Sequence, residues 1–233
     1  MFNGKKKAVT FSYDDGTTQD IRLIELLNKY GLKSTFNINS GLLGTDKMLS
    51  RDGMRISHYK IAPHRLKEVY EGHEIAVHTL THPKLINCSD DEVARQVEED
   101  RLALEAMVGY KIRGMAYPAG SIFVDERVER VVKERTAMEY ARGTDCSGSF
   151  EIPAYLYHFK PTVYHLDFDE MMRLGHEFID MKPDTPKLFY IWGHTFEMDY
   201  DSLNWHRLEE FFRLISGRDD IFYGTNTEVL LDK

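Results

Sequence analysis

Short apolar segments alternate with amphipathic helical patterns about seven times along the 233-residue chain. The first segment, AVTFSY at residues 8–13, is rich in β-branched and aromatic side chains, as strands usually are. Such an alternation is typical of parallel strands joined by helices, because two parallel strands need a long connection between them. The pattern therefore predicts an α/β fold whose parallel sheet is either open or closed into a barrel.

The individual elements follow from apolar periodicity and from residues that start or stop helices. Ser89 is a predicted N-cap and Gly109 a predicted stop of the longest helix, SDDEVARQVEEDRLALEAMVG. The other predicted helices are TTQDIRLIELLNKYG, PHRLKEVYEG, VDERVERVVKER, DFDEMMRLGHEFIDM and SLNWHRLEEFFRLIS. The other predicted strands are KSTFNIN, HEIAVHT, IRGMAYPAG, AMEYARGT, HFKPTVY, KLFYIWGHT and DIFYGT. Since no linker or repeat divides the chain, residues 1–233 are predicted to form a single domain.

Charge and composition exclude several classes of function. The formal net charge is −8, so no broad basic surface is expected and nucleic acid is not expected as a partner. Cys88 and Cys146 are too few for a disulfide framework. No apolar segment is long enough to span a membrane, and the first residues lack the apolar core of a signal peptide. We therefore expect a cytoplasmic protein with no membrane partner, and the oligomeric state stays open.

Polar clusters follow the predicted strands where the strands end. They are SYDDG, HTLTHP, YPAG, YARGTD and WGHTFE. In a parallel sheet or barrel the carboxyl ends of the strands lie on one rim, where the chemistry of such folds gathers. These clusters are therefore expected to converge on one site, although they lie far apart in the sequence.

One cluster contains His78 and His82, a spacing that places two imidazoles on one side of a helical turn. Pro83 disfavours helical backbone at His82, so a loop or an ending turn is expected there. Two histidines this close on a polar turn suit a divalent metal ion. Two surface histidines without a metal are the alternative interpretation.

A second cluster places Asp14 and Asp15 at the end of the first strand, directly before Gly16. Neighbouring carboxylates repel each other and are costly to desolvate, so the pair needs a reason. The two side chains are expected to point to different sides. One carboxylate could then bind a metal together with two histidines, while the other takes a proton from a water molecule at the open position. The alternative is that the pair caps the following helix.

With these motifs the chain resembles the polysaccharide deacetylase family of carbohydrate esterases. The aspartate pair of that family occurs here as SYDDG, its His-Ser/Thr-x-x-His motif as HTLTH, and its late histidine in YIWGHT, so the resemblance covers most of the chain from about Ala8. It implies a distorted (β/α) barrel with about seven parallel strands. It also implies a metal-dependent hydrolase that removes an N-acyl group, N-acetyl in the first place, from an amino-sugar-containing glycan or oligosaccharide.

The resemblance implies a role for each motif residue. Asp14 is implied to be the general base and His194 the general acid that protonates the leaving amine. Asp15, His78 and His82 are implied to bind one divalent metal ion, zinc in the first place and otherwise cobalt, nickel or iron.

The third motif departs from the commonest form of the family, Arg-x-Pro-Tyr-Gly. The chain reads AYPAG instead, with Ala116 where the arginine would be. Arg142 in YARGT is a candidate to replace that arginine beside the base, and an ordinary surface ion pair is its alternative. By position, the backbone N–H of Ala119 would donate to the oxyanion, and Tyr117 belongs to the same oxyanion and substrate-binding set. Trp192 could stack on a sugar face or belong to the core.

Other features leave the function open. The family's Asp-x-x-Asp-Trp motif has no good match, so Asp167 and Asp169 are candidates to orient His194. Glu197 is predicted either to line the cleft or to lead a helix, and His58 to be structural or exposed. Residues 41–63 are long for a loop, and an insertion that covers the cleft is one interpretation. Two functions compete with the first: hydrolysis of another non-peptide C–N bond, as in a cyclic ureide or imide, and carbohydrate binding with weakened catalysis.

Overall fold

The computed structural model describes residues 1–51 and 53–232. Its strands, in chain order, are β1 Lys7–Asp14, β2 Ser34–Ile38, β3 Met48–Arg51, β4 Met54–Ser57, β5 Glu74–Val77, β6 Gly114–Ala116, β7 Tyr140–Arg142, β8 Val163–Tyr164, β9 Lys187–His194 and β10 Ile221–Tyr223. The main sheet is parallel, with the spatial order β7-β6-β5-β2-β1-β9-β8 and with β10 beside the first part of β1. The curled sheet confirms the predicted distorted (β/α) barrel with about seven parallel strands.

The helices connect these strands. They are α1 Asp20–Lys29, α2 Leu66–Val69, α3 Asp90–Val108, α4 Glu126–Arg135, α5 Phe168–Asp180, α6 Asn204–Ile215 and α7 Asn226–Leu230. The longest, α3, begins where predicted, because the Ser89 hydroxyl accepts a hydrogen bond from the backbone N–H of Glu92 at 3.2 Å. It ends at Gly109, whose φ of 84° is in the left-handed region that glycine adopts without strain. Both predicted ends of this helix are confirmed.

The central strand β1 fixes the height of the site. All of its residues are buried, as expected for a parallel strand with packed material on both faces. It pairs with β9 along its whole length and with β2 along its second part. This register places Asp14 level with Asn37 on one side and with His194 on the other.

An irregular segment, residues 156–162, closes the gap between β7 and β8. The backbone N–H of Gly143 donates to the carbonyl of Phe159 at 2.9 Å, and that of Thr162 donates to the carbonyl of Tyr190 at 2.9 Å. The predicted strand HFKPTVY is therefore regular only at β8. Pro161 lacks the N–H that a regular ladder needs.

Two further elements differ from the prediction. The predicted helix PHRLKEVYEG is a short 3-10 turn, Pro63–Arg65, followed by the single turn of α2. Residues 41–63, predicted to be a long loop, contain the antiparallel hairpin of β3 and β4. After this hairpin, Lys60 pairs antiparallel with Thr17, so the chain returns along the turn that follows β1.

Alternate residues of the strands serve two apolar cores. Along β9, Leu188, Tyr190 and Trp192 belong to a smaller cluster inside the barrel. Phe189 and Ile191 belong to the larger cluster, which includes the buried faces of the long helices. Among the described helices, none combines the length and the apolar character needed to cross a membrane.

The close approach of β6 and β7 is testable at Gly114. A Cβ atom at this position would lie 1.8 Å from Cζ of Tyr140, a buried ring whose hydroxyl donates to Glu74 at 3.0 Å. Because that ring is confined, Gly114→Ala is expected to lower the free energy of unfolding by about 3 kcal/mol, measured by urea denaturation. Leu102→Ala on an exposed part of α3 is the control and should change it by less than about 0.5 kcal/mol. Equal stability of both variants would contradict this packing.

Candidate active site

The strand ends surround a cavity of about 280 Å³. It is lined by Asp14, Asp15, His78, His82, Tyr117, Ala119, Gly120, Thr144, Trp192 and His194. Apart from Arg142, which pairs with Asp14, this list contains every residue predicted to be catalytic, to bind the metal or to bind the substrate. A larger depression of about 490 Å³ near His73 is lined by none of them. The smaller cavity is therefore the candidate active site.

Three potential ligands meet on one wall of the cavity. Asp15, His78 and His82 each bring a ligand atom within 4.8 Å of the other two. Nε2 of His82 lies 4.0 Å from Oδ1 of Asp15. His82 has a φ of 59°, so the backbone is not helical there, as the following proline predicts.

The surroundings of His78 leave one ring nitrogen available to a metal ion. Its Nδ1–H donates to the carbonyl of Ala116 at 2.9 Å, which leaves Nε2 with a free lone pair. Nε2 is buried and has no hydrogen-bond partner among the described residues. Burial lowers the pKa of His78 to about 4, so the ring is neutral at pH 7. An unsatisfied buried nitrogen beside a second histidine and a carboxylate fits a divalent metal such as zinc.

The hairpin segment after β4 holds Asp15 from outside. Nζ of Lys60 donates to the backbone carbonyl of Asp15 at 2.5 Å and to its Oδ1 at 3.0 Å. Nε2 of His58 lies 3.2 Å from Oδ2. Burial raises the pKa of Asp15, but the charge of Lys60 and the hydrogen bond of His58 outweigh it and hold the pKa well below its usual range. His58, predicted to be structural or exposed, is thus a structural contact of Asp15.

Asp14 forms a buried ion pair with Arg142. Nη2 of Arg142 lies 2.5 and 2.6 Å from the two carboxylate oxygens, and neither residue is exposed by more than 1%. Nδ2 of Asn37 adds a hydrogen bond of 2.8 Å to Oδ1. Burial raises the pKa of Asp14, but the guanidinium outweighs it and lowers the pKa below its usual value. The structure thus contradicts the alternative of a surface ion pair for Arg142.

Arg142 is held in place by its own neighbours. Ala116 and Arg142 are register partners on β6 and β7, so the guanidinium comes from the strand next to the one that carries the alanine. Cζ of Arg142 lies 4.7 Å from the ring centroid of Trp192, and its Nη1 donates to the carbonyl of Gly143 at 2.9 Å. Trp192 lines the cavity, but it is only 7% exposed and stacks on this guanidinium.

His194 faces Asp14 and is oriented by Glu197. Nε2 of His194 lies 3.9 Å from Oδ2 of Asp14, and its Nδ1 lies 3.0 Å from Oε2 of Glu197. The same glutamate oxygen lies 3.0 Å from Nε2 of His165. No hydrogen bond joins His194 to Asp167 or Asp169 in the described part of the chain. The expectation that one of those aspartates orients His194 is therefore wrong.

Glu197 also sets the charge of His194. Burial lowers the pKa of this histidine, but the hydrogen bond and charge of Glu197 outweigh it and raise the pKa to about 9. Two imidazole donors in turn hold the pKa of Glu197 far below its usual value, although burial opposes them. At neutral pH the site therefore contains an imidazolium whose Nε2–H is available to the cavity.

The loop after β6 supplies a free backbone donor. Ala119 has a φ of 64°, and its N–H makes no hydrogen bond within residues 1–51 and 53–232. Because Ala119 lines the cavity, this N–H is available to a ligand bound there. The hydroxyl of Tyr117 instead donates to the carbonyl of Tyr157 at 2.8 Å, so this residue offers only its ring.

Sequence reasoning missed three of these contacts. Glu197 had a usable signal, because it lies three residues after His194, where a side chain can reach back to the start of a turn. Asn37 lies at the end of the second predicted strand, level with Asp14, although no motif marks it. Lys60 has no signal at all, since only the path of the hairpin brings it to Asp15.

Two kinds of comparison with known proteins bear on this site. The sequence model of a family described as polysaccharide deacetylase matches residues 3–140. That range includes the aspartate pair and both motif histidines, whereas Arg142 and His194 lie beyond it.

Solved structures with the same fold cover nearly the whole chain. BA3943 from Bacillus anthracis, a CE4 family pseudoenzyme, aligns with a TM-score of 0.59 at 19% identity over 97% of this chain and 66% of its own. A family 4 carbohydrate esterase from Streptomyces lividans in complex with acetate aligns with a TM-score of 0.56 at 11% identity, over 95% of this chain and 92% of its own. A variant of peptidoglycan deacetylase PdaC from Bacillus subtilis aligns with a TM-score of 0.56 at 15% identity, over 96% and 90%. The likeness at these identities is one of fold, and the chain spans about two thirds of BA3943.

Removing the charge of Glu197 should lower the pKa of His194. Glu197→Gln is expected to lower the pKa of His194 from about 9 towards its ordinary value, because burial is then opposed only by the charges of Asp14 and Asp15. The measurement is a pH titration of the imidazole signals by NMR, with His194→Gln for assignment. Asp199→Asn on the same turn is the control, since Asp199 binds Gln19 and Trp205 instead.

The same substitution should change how stability depends on pH. A histidine whose folded pKa is raised stabilises the fold below pH 6.5 and loses that contribution as the pH rises through about 9. In Glu197→Gln the free energy of unfolding should therefore decrease less between pH 6.5 and about 9 than it does in the wild type. An unchanged pKa of His194 in this variant would contradict the assigned contact.

Proposed function

The chain belongs to the polysaccharide deacetylase family, and from that membership we propose that it is a metal-dependent hydrolase of an N-acyl group, N-acetyl in the first place, on an amino-sugar-containing glycan or oligosaccharide. The observation that carries the proposal is the position of Asp14. This carboxylate lies beside the cluster of Asp15, His78 and His82 and within 3.9 Å of His194. A base, an acid and a potential metal site thus share one cavity.

The metal site would use Asp15, His78 and His82 as ligands. An ion held there would polarise the acyl carbonyl and make a water molecule more acidic. Zinc is our first choice, because it accepts two imidazoles and one carboxylate and leaves a position open. Cobalt, nickel and iron accept the same ligand set.

Asp14 would act as the general base. Arg142 and Asn37 fix its carboxylate, so that it can accept the proton of the attacking water without moving. The same partners lower its pKa, which keeps it ionised below neutral pH. It is a weak base as a result, and it needs a water molecule whose own pKa is lowered.

His194 would act as the general acid. Its Nε2–H points into the cavity on the side of Asp14, while Glu197 keeps the ring protonated. An amine is a poor leaving group unless its nitrogen is protonated as the C–N bond breaks. The free N–H of Ala119 would stabilise the oxyanion that forms at the carbonyl carbon during this sequence.

The size of the cavity restricts the substrate. Small-molecule pockets commonly have volumes of roughly 300–1,000 Å³, and this one is at the lower end at about 280 Å³. It suits an acetamido group and its own sugar ring rather than a long stretch of glycan. We therefore place further sugars of a glycan outside the cavity.

The small cavity also favours a second candidate, hydrolysis of a cyclic ureide or imide with the same residues. A third candidate, carbohydrate binding with weakened catalysis, draws on the fold shared with BA3943, a pseudoenzyme. Against the third candidate stands Arg142, which supplies the guanidinium that Ala116 lacks. A panel of N-acetylated sugars and cyclic amides, with released acetate and ring opening as readouts, separates the three.

Substitutions of the proposed ligands and of the proposed base should differ in their effect on metal content, although both should lower activity. Wild type is expected to bind one equivalent of zinc and to release acetate from an N-acetylated sugar, and a chelator should abolish both. His78→Ala/His82→Ala should lose metal and activity, whereas Asp14→Asn should keep the metal and lose at least about a hundredfold in kcat. Elemental analysis and an acetate assay provide the measurements. Full activity in the chelated protein would exclude the proposed mechanism.

The ion pair of the base should appear in the pH profile. Arg142→Gln is expected to move the acidic limb of kcat/KM to higher pH, because the pKa of Asp14 rises when its guanidinium partner is removed. It should also lower the free energy of unfolding by about 3–5 kcal/mol, since a buried charge loses its partner. Arg95→Gln is the matched control, because Arg95 makes exposed ion pairs on α3. An acidic limb that stays in place would contradict the role of Arg142.

A further inference from the structure

Each carboxylate of the active site already has a cationic partner from the chain itself. Asp14 is paired with Arg142, and Glu197 with the protonated ring of His194. Asp15, one of the proposed ligands, is paired with Lys60. The site therefore carries balanced charge before any metal ion is considered.

Lys60 is buried, with only 5% of its surface exposed. Its ammonium contacts Oδ1 of Asp15, and that oxygen is also the one that lies 4.0 Å from Nε2 of His82. The cation thus sits on the carboxylate oxygen that is closest to a second ligand. A lysine ammonium is a compact point charge, and its repulsion of another cation is strong where water is excluded.

Positioning of Asp15 does not depend on Lys60 alone. The backbone N–H of Asp15 donates to the carbonyl of Asn37 at 3.0 Å, and His58 holds Oδ2 at 3.2 Å. The N–H of Ile61 donates to the carbonyl of Gly16 at 3.0 Å, which keeps the hairpin segment against the same turn. Several contacts therefore orient the Asp15 side chain and backbone. Among the described ion pairs, the lysine that places a permanent positive charge beside Asp15 is Lys60.

We propose that Lys60 is a built-in counter-cation of Asp15 that competes electrostatically with the divalent metal and so makes metal binding weaker and more exchangeable than the three ligands alone would make it. This inference rests on the metal site of the proposed function. Replacement of Lys60 by a neutral residue would remove a repulsive charge, while most of the contacts that position Asp15 would remain. A neutral side chain at this position should therefore tighten metal binding and not loosen it.

The test compares Lys60→Met, which removes the charge, with Lys60→Arg, which keeps it. Each full-length protein is stripped with a chelator, and the Kd for zinc is measured by competition with a chromogenic chelator. Lys60→Met is expected to bind zinc at least tenfold more tightly than wild type, and Lys60→Arg should stay within about threefold. The rise in Tm on adding zinc should be larger for Lys60→Met, while its Tm without zinc should be lower, because Asp15 then lacks its counter-charge.

Controls separate this inference from the proposed function. His78→Ala, made in both the wild-type and the Lys60→Met backgrounds, should abolish the zinc binding that is measured. If wild type binds zinc through His78 but Lys60→Met binds it equally or more weakly, the counter-cation inference is overturned and Lys60 is a positioning residue. If neither protein binds zinc, or if binding survives His78→Ala, the metal site itself is wrong. Should Lys60→Met fail to fold, Lys60→Gln removes the same charge and keeps a donor for the carbonyl.

Discussion

The buried ion pair between Arg142 and Asp14 is the constraint on which the rest of the site depends. It joins the ends of β7 and β1, which are separated in the sheet by β6, β5 and β2. Taking two charges out of water is costly, and the cost is offset only when the remaining hydrogen-bonding groups find partners. Asn37, the carbonyl of Gly143 and the ring of Trp192 supply such partners. The pair thus fixes the distance between two strand ends, and the cavity lies between them.

Each of the three carboxylates of the site is paired with a different kind of cationic side chain. A guanidinium keeps Asp14 ionised, and an ammonium does so for Asp15. Glu197 is hydrogen-bonded to the imidazoles of His165 and His194. Its negative charge raises the pKa of His194. Acid–base chemistry in one cavity needs groups with different pKa values, because the base must be deprotonated at the same pH at which the acid is protonated. The absence of the third-motif arginine and of the Asp-x-x-Asp-Trp motif is compatible with this division, since Arg142 contacts Asp14 and Glu197 contacts His194.

Sequence reasoning succeeded where the determinants are local. The buried strand β1, the capped helix α3 and the convergence of polar strand ends follow from short patterns and from the geometry of parallel sheets. It failed where tertiary contacts decide. The N–H of Asn226 donates to the Thr35 hydroxyl at 2.8 Å, so α7 depends on a side chain far away in the sequence. The sequence pointed to Asp167 and Asp169 as partners of His194, whereas Glu197 is the partner, because the path of the turn that follows β9 decides which carboxylate reaches the ring. Arg142 could not be assigned for the same reason, since the register of β6 and β7 decides whether it is buried.

The hairpin of β3 and β4 couples two parts of the site that the motifs treat as independent. Its following segment holds Asp15 through His58 and Lys60. Gln19 donates both to the carbonyl of Ser57 at the end of the hairpin and to Asp199 at 2.8 Å, on the turn that also carries Glu197. The ring of His58 lies 4.7 Å from that of Phe196 on the same turn. A shift of the hairpin would therefore move a proposed metal ligand and the support of the proposed acid together. The segment is thus part of the geometry of the proposed site, because it contacts both the proposed metal ligand Asp15 and the turn that carries Glu197.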